Sequence, residues 1–331
     1  MTISKTGVTA LAAATLLARG VGNAGAASVF SFGSNTIGFH NWENIFSATG
    51  LQKGSTINAP ATAAVGDILM GVLNVNSIRS DTTGNPSYEP SAGVDEITGL
   101  FAQKVTAIVG TTVYFAPLTA ADYASISSAN GGFKSSIDGT VVPLPAGWNF
   151  ADGEEFAFYR QTGSTDFTIS GTTMLASANS ATDGSLLFSL GFTVDANLTT
   201  FSGDTGYFYA NVNNPGITSA TDLTAHGGFQ FLVNNTGSLF VSGAVDNTAS
   251  PAAQTVLVPL WIRSTIGDNT NVTSTSLVPP WNFISSDPAK ATSVPPLGAS
   301  VPLPAAAWTG LSMLAAMGAL AAKRRRNSAR S

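Results

Sequence analysis

The chain has no cysteine, two histidines and little charge: 331 residues carry 14 Lys and Arg and 19 Asp and Glu, 10% in all. A soluble globular domain usually carries about a quarter charged residues. The missing cysteine excludes a disulfide framework, a thiolate zinc site and a cysteine nucleophile. Two histidines are too few for a histidine metal cluster. Seven of the basic residues lie near the ends: Lys5, Arg19, Lys323, Arg324, Arg325, Arg326 and Arg330. The seven that remain face all nineteen acids, so the middle carries a net charge of −12. Such a body neutralises few phosphates, which excludes nucleic acid as a natural partner. Cations and neutral polymers suit it better. Against these absences stand 44% hydrophobic residues, 34 Gly and 16 Pro.

The two ends read as addresses. Lys5 is a positive n-region, and Val8–Ala18 is an apolar h-region too short to span a bilayer comfortably. Ala24-Gly25-Ala26, followed by Ala27, fits a small-residue cleavage site, so residues 1–27 read as a secretory signal peptide. The implied partners are a Sec translocon and signal peptidase. At the other end, Val301-Pro302-Leu303-Pro304-Ala305 precedes Ala306–Ala322, an uncharged apolar stretch of spanning length. Lys323-Arg324-Arg325-Arg326 caps it, as the positive-inside rule expects of a cytoplasmic end. Residues 301–326 therefore read as a sorting segment with a single transmembrane helix, and 327–331 as a cytoplasmic tail.

This order of short Pro motif, apolar segment and basic cluster resembles the PEP-CTERM class of sorting signals in its VPLPA variant. The resemblance covers Val301–Arg326 only. It departs from the eponymous motif in having Leu-Pro for Glu-Pro, and in the tail after the arginines. It implies recognition by an exosortase, a membrane transpeptidase-like cysteine protease of Gram-negative bacteria. It also implies cleavage near the Pro motif and release or transfer of the ectodomain to the surface. A second copy, Val142-Pro143-Leu144-Pro145-Ala146, has neither apolar segment nor basic cap and reads as a loop.

Between the ends, short apolar runs alternate with Gly, Asn, Asp, Ser and Thr, the pattern of an all-β sandwich or barrel. The expected strands are Val29–Phe32, Ile68–Ile78, Leu100–Ile108, Thr111–Ala116, Glu155–Arg160, Phe167–Ser170, Ser185–Val194, Gly206–Val212, Phe229–Val233, Ser238–Val245 and Val256–Ile262. Val109-Gly110 marks a hairpin. Thr119–Ser127 is the best helix, with Thr119 as N-cap. We expect residues 28–263 to form an antiparallel β-sandwich, jelly-roll-like. The likeness of Val142–Phe150 to Val278–Phe283 offers an alternative of two β units meeting near residue 150. Residues 264–300, with Pro279, Pro280, Pro288, Pro295 and Pro296, read as a Pro/Ser/Thr-rich linker.

The catalytic inventory of the middle is thin. His40 and His226 are the only candidate bases, and no Ser sits in a G-x-S-x-G elbow. Glu154 and Glu155 are adjacent, so on a strand they face opposite ways; Glu43, Glu89 and Glu96 are dispersed. Asp138, Asp152, Asp183, Asp204 and Asp268 border glycines, which suits β-turns better than calcium. No metal site is expected, and calcium ranks below ordinary turns as a cofactor. Trp42, Trp148, Trp261 and Trp281 can stack on sugars but more often build cores. Tyr207 and Tyr209 share a strand face. Asn197, Asn234 and Asn271 begin sequons, as chance provides in so Asn- and Thr-rich a chain.

The expectation is a non-enzymatic exported protein. It is held transiently in the inner membrane, then placed at the cell surface or outside it, as a structural or adhesive part of an exopolysaccharide matrix (biofilm or floc). The resemblance carries the matrix role. The rival is a secreted carbohydrate-binding module or carbohydrate-active hydrolase.

Overall fold

The computed structural model describes residues 29–54, 63–90, 95–109, 112–163, 166–169, 171–193, 208–211, 224–241, 243–245, 256–268 and 279–294. The chain divides into two units, Met1–Ala24 with Pro295–Ser331, and Gly25–Val294. All described residues belong to the second.

Its strands run β1 (Gly33–Phe46), β2 (Ile68–Ser80), β3 (Pro86–Tyr88), β4 (Asp95–Val109), β5 (Thr112–Pro117), β6 (Phe133–Lys134), β7 (Val141–Val142) and β8 (Glu154–Thr162). There follow β9 (Ser185–Phe192), β10 (Phe208–Asn211), β11 (Thr224–Asn234), β12 (Leu239–Phe240), β13 (Gly243–Val245), β14 (Val256–Val258), β15 (Leu260–Asp268) and β16 (Phe283–Val294). Among the described residues two helices interrupt them, α1 (Ala120–Asn130) and α2 (Met174–Thr182).

Eight strands close a ring in chain order. β1 pairs β2, β2 pairs β4, β4 pairs β8, β8 pairs β9, β9 pairs β11, β11 pairs β15, β15 pairs β16 and β16 returns to β1, every pair antiparallel. This is a closed up-and-down barrel, which leaves no free edge in the ring. The sandwich expectation is therefore corrected. So is the linker: β15 runs to Asp268, and β16 lies within the Pro/Ser/Thr-rich stretch and closes the barrel. The C-terminal transmembrane helix is not shown. No helix among the described residues is long and apolar enough to cross a membrane, and Ala306–Ala322 lies outside them.

The apolar patterning explains the walls. On β2, Leu69, Leu73 and Val75 join the interior cluster while Ile68, Met70 and Val72 join a second cluster on the outer wall. Buried on both faces, β2 reads as a continuous apolar run. The interior is threaded by phenylalanine. Phe101 stacks on Phe156 with ring centroids 5.2 Å apart, and Phe158 stacks on Phe188 at 4.3 Å. Phe39 crosses from β1 to meet Phe158 edge-on at 6.1 Å. Gly71 is needed beside these rings: a Cβ there would lie 2.4 Å from the Trp42 carbonyl oxygen and 2.7 Å from Phe101.

The outer cluster sits under α1, α2 and the loop around Leu144. Thr119 caps α1 through a capping box with Asp122, as the sequence indicates. The internal Val-Pro-Leu-Pro-Ala copy is a loop after β7, held where the Leu144 amide donates to Tyr123 Oη at 2.8 Å. Trp148 and Trp281, from the two similar motifs, enter this same outer cluster. Phe167–Ile169, expected as strand, is irregular chain, with Phe167 and Ile169 packed there. β4 and β5 pair antiparallel as expected, but Val109 belongs to β4 and pairs with Thr112 where a turn residue was expected; Gly110 lies outside the described residues.

Candidate functional site

An acidic cluster and a buried Glu–Gln pair stand out among the described residues. The first joins three distant segments. Glu96 is the second residue of β4, Asp166 follows β8, and Asp183 is the C-cap of α2. One carboxylate oxygen from each lies within 4.8 Å of the others. Glu96 is buried and accepts a hydrogen bond from the Phe167 amide at 3.3 Å. Burial raises its pKa above the ordinary glutamate value, and the charges of Asp166 and Asp183 add to the rise. Asp183 is raised by burial first and by Asp166 second. The nearby Arg160 is turned to Asp95, donating Nε to Oδ1 at 3.0 Å and an Nη to Oδ2 at 2.7 Å. Three carboxylates suit a hard cation, but calcium takes six to eight oxygens.

The second group is a buried pair at a branch in the sheet. β4 pairs with β8 over Asp95–Phe101 and with β5 over Gln103–Val109. Gln103 lies where the partners part. On β8 the register slips between Glu154 and Phe156, so Glu155 is the extra residue of a bulge. Its carboxylate Oε2 accepts from Gln103 Nε2 at 3.0 Å, while Oε1 is buried without a partner. Complete burial pushes the Glu155 pKa well above the ordinary value, against the smaller effect of the Gln103 hydrogen bond. Burial therefore favours the protonated, neutral form of this carboxyl. Glu154 faces elsewhere and accepts from the Asn149 amide at 2.6 Å. The two adjacent glutamates thus take different partners, Glu155 the Gln103 side chain and Glu154 the Asn149 amide.

The remaining candidates are dispersed. His40, half-buried on β1, has its pKa lowered by burial. His226 lies on β11, in register with Tyr209 and Arg263. Glu43 is buried on β1, and Glu89 is an exposed partner of Arg79. Asp138 accepts from the Thr140 and Met174 amides at 2.9 and 2.7 Å, tying its turn to the start of α2. Asp152 exchanges hydrogen bonds with Asn149. Trp148, Trp261 and Trp281 are buried, and Trp42 packs on Phe167 at 5.7 Å. Trp148 donates Nε1 to the Glu154 carbonyl at 3.1 Å. Asn234 spends its side-chain amide on the Ser238 carbonyl at 2.7 Å.

Sequence reasoning named Asp183 and Glu96 separately and passed over Asp166. Only the β4–β8 pairing and the end of α2 bring the three together, and no spacing encodes that. Ala24, Ala26, Ala27, Val301, Pro302, Leu303, Pro304, Ala305, Lys323, Arg324, Arg325 and Arg326 lie outside the described residues, as do Asp204, Tyr207, Asn197 and Asn271. Comparison with protein-family models, curated proteins and solved structures finds no match to the chain.

Proposed function

We propose that the chain is an exported, non-enzymatic structural or adhesive protein of the extracellular polymeric matrix, delivered by exosortase processing. The observation that carries this reading is the C-terminal order of Val301–Ala305, the uncharged segment 306–322 and Lys323–Arg326. In it the apolar segment holds the precursor in the inner membrane, and the basic cap keeps the end cytoplasmic. The N-terminal segment supplies export. The body is consistent with a passive role: phenylalanines fill the barrel and three of its tryptophans serve packing.

Intact-mass measurement of the protein from its native host tests the reading. The expected mature form lacks residues 1 to about 27 and everything beyond the Pro motif. Peptides spanning Trp308–Arg324 in the extracellular fraction would overturn it. Neutralising Lys323–Arg326 impairs processing, whereas changing Pro143 and Pro145 leaves sorting intact. Turnover of a polysaccharide, abolished by one carboxylate substitution, would move the protein to the carbohydrate-active class.

A further inference from the structure

The first and last strands of the barrel lie side by side. Gly33, the start of β1, pairs with Ser293, and β16 ends one residue later at Val294. On the other side of β16, Leu239 pairs with Val294 and Phe240 with Ser293. Three neighbouring strands therefore end together where the chain enters and leaves the barrel. Phe240 turns inward, stacking on Phe231 at 3.9 Å and meeting Phe30 at 4.8 Å. Its neighbours Leu239 and Val241 alternate outward and are 41% and 38% exposed. Phe32, one residue before β1, is 73% exposed, the highest value among the exposed large apolar residues.

This sector is poor in charge. The sequence has no Asp, Glu, Lys or Arg from Gly20 to Trp42 or from Ala291 to Ala322. Charges beside the start of β1 occur as ion pairs: Asp81 with Lys290 at 3.0 Å, and the exposed Arg79, in register with Thr36, with Glu89. Eleven residues, 295–305, separate Val294 from the apolar segment 306–322. Fully extended they reach no more than about 40 Å. The remaining exposed large apolar residues, Leu51, Val65, Ile108 and Val109, lie toward the opposite end, where β1 finishes, β2 begins and β4 finishes. The fourteen residues of β1 put them about 45 Å farther from the exit.

We propose that this rim, through Phe32, Leu239 and Val241, rests on the lipid surface of the membrane that holds the precursor. The proposal builds on the reading of 306–322 as the membrane-held segment. The short uncharged tether confines the rim to within about 40 Å of the bilayer, close enough to touch it. Apolar side chains there leave water for the headgroup–acyl boundary, as in other interfacial contacts. The far end, with the Lys53–Asp67 and Lys104–Asp122 ion pairs, points away.

The cysteine-free chain allows an unambiguous test. Full-length protein is reconstituted in phosphatidylcholine vesicles with doxyl-labelled phosphatidylcholine. It carries a single fluorophore at Phe32→Cys, Leu239→Cys, Val65→Cys or Val109→Cys. The expected result is loss of fluorescence at the first two positions and full intensity at the last two. Equal intensity at all four in protein that sediments with the vesicles overturns the rim contact and leaves the anchor standing. Energy transfer between copies labelled at Phe32→Cys, without lipid quenching, assigns the rim to a second copy and also overturns it. Failure to sediment overturns the anchor and the rim together. The unfolding temperature of each labelled variant, matched to the parent, establishes that the barrel is intact.

Discussion

Two walls of one barrel are built from different materials. The β4–β8–β9 wall turns Ile97, Phe101, Val105, Phe156, Phe158 and Leu190 into the interior cluster. The β1–β16 wall turns in Ile37 and Phe39, but also Asn35, Asn41 and Glu43, with Ala289, Ala291, Ser285 and Ser293 opposite. Small residues on one wall leave volume for the phenylalanines of the other, the alternation that lets a small barrel fill without voids. Cohesion differs accordingly. One wall is held by buried apolar area. The other relies on its ladder and on side-chain hydrogen bonds, such as those of Asn35 to the Ser31 and Gly33 carbonyls, both at 2.8 Å.

Three substitutions sharpen this contrast. Phe158→Ala removes the ring that touches Phe39, Phe156 and Phe188. It should cost about 3–5 kcal/mol in urea unfolding, because the lost transfer energy is joined by a cavity. Asn35→Ala takes its side-chain partner from the Ser31 amide, which donates to Asn35 Oδ1 at 2.9 Å, and from the Gly33 carbonyl, while the Ser31 carbonyl keeps the Ser293 hydroxyl. A loss of about 1–3 kcal/mol is expected. An equal or larger loss than that of Phe158→Ala would erase the distinction between the walls.

Glu155→Gln probes the one carboxylate buried at the sheet branch. Glu155 keeps its proton in the barrel to a higher pH than in the unfolded chain. Above about pH 4.3, the ordinary glutamate value, the unfolded chain releases a proton that the folded one retains. Stability is thus fully present below that pH and is lost as pH rises. Wild type should lose ground to Glu155→Gln by up to about 1.4 kcal/mol per pH unit. The slope carries the claim, and any offset at low pH records altered hydrogen bonding. Parallel stability–pH curves would show a Glu155 that ionises freely in the barrel.

The contrast between walls also governs what the sequence reveals. Runs such as Ile68–Ile78 and Glu155–Arg160 announce strands because both faces are apolar or aromatic. β1 and most of β16 do not announce themselves: Ile37 and Phe39 share the inward positions with Asn, Glu, Ser and Ala, and Pro288 sits within β16. With Gly33–Phe46 absent from the expected strands and residues 264–300 read as a linker, only six strands of the ring remain, too few to close it. The ring closes only when both are restored. The acidic triad is hidden for a similar reason, since its members meet through pairing between β4 and β8 and not through spacing. The address segments are legible without a fold, because charge and apolar length are local properties.

The central claim is that the polar wall completes the barrel. Urea unfolding of residues 28–294 against residues 28–263, followed by far-ultraviolet circular dichroism, tests it directly. The longer fragment should unfold in one cooperative step with a sheet spectrum. The shorter one, lacking β16 and half of β15, should show no cooperative transition. A cooperative transition of equal midpoint in both would contradict the account.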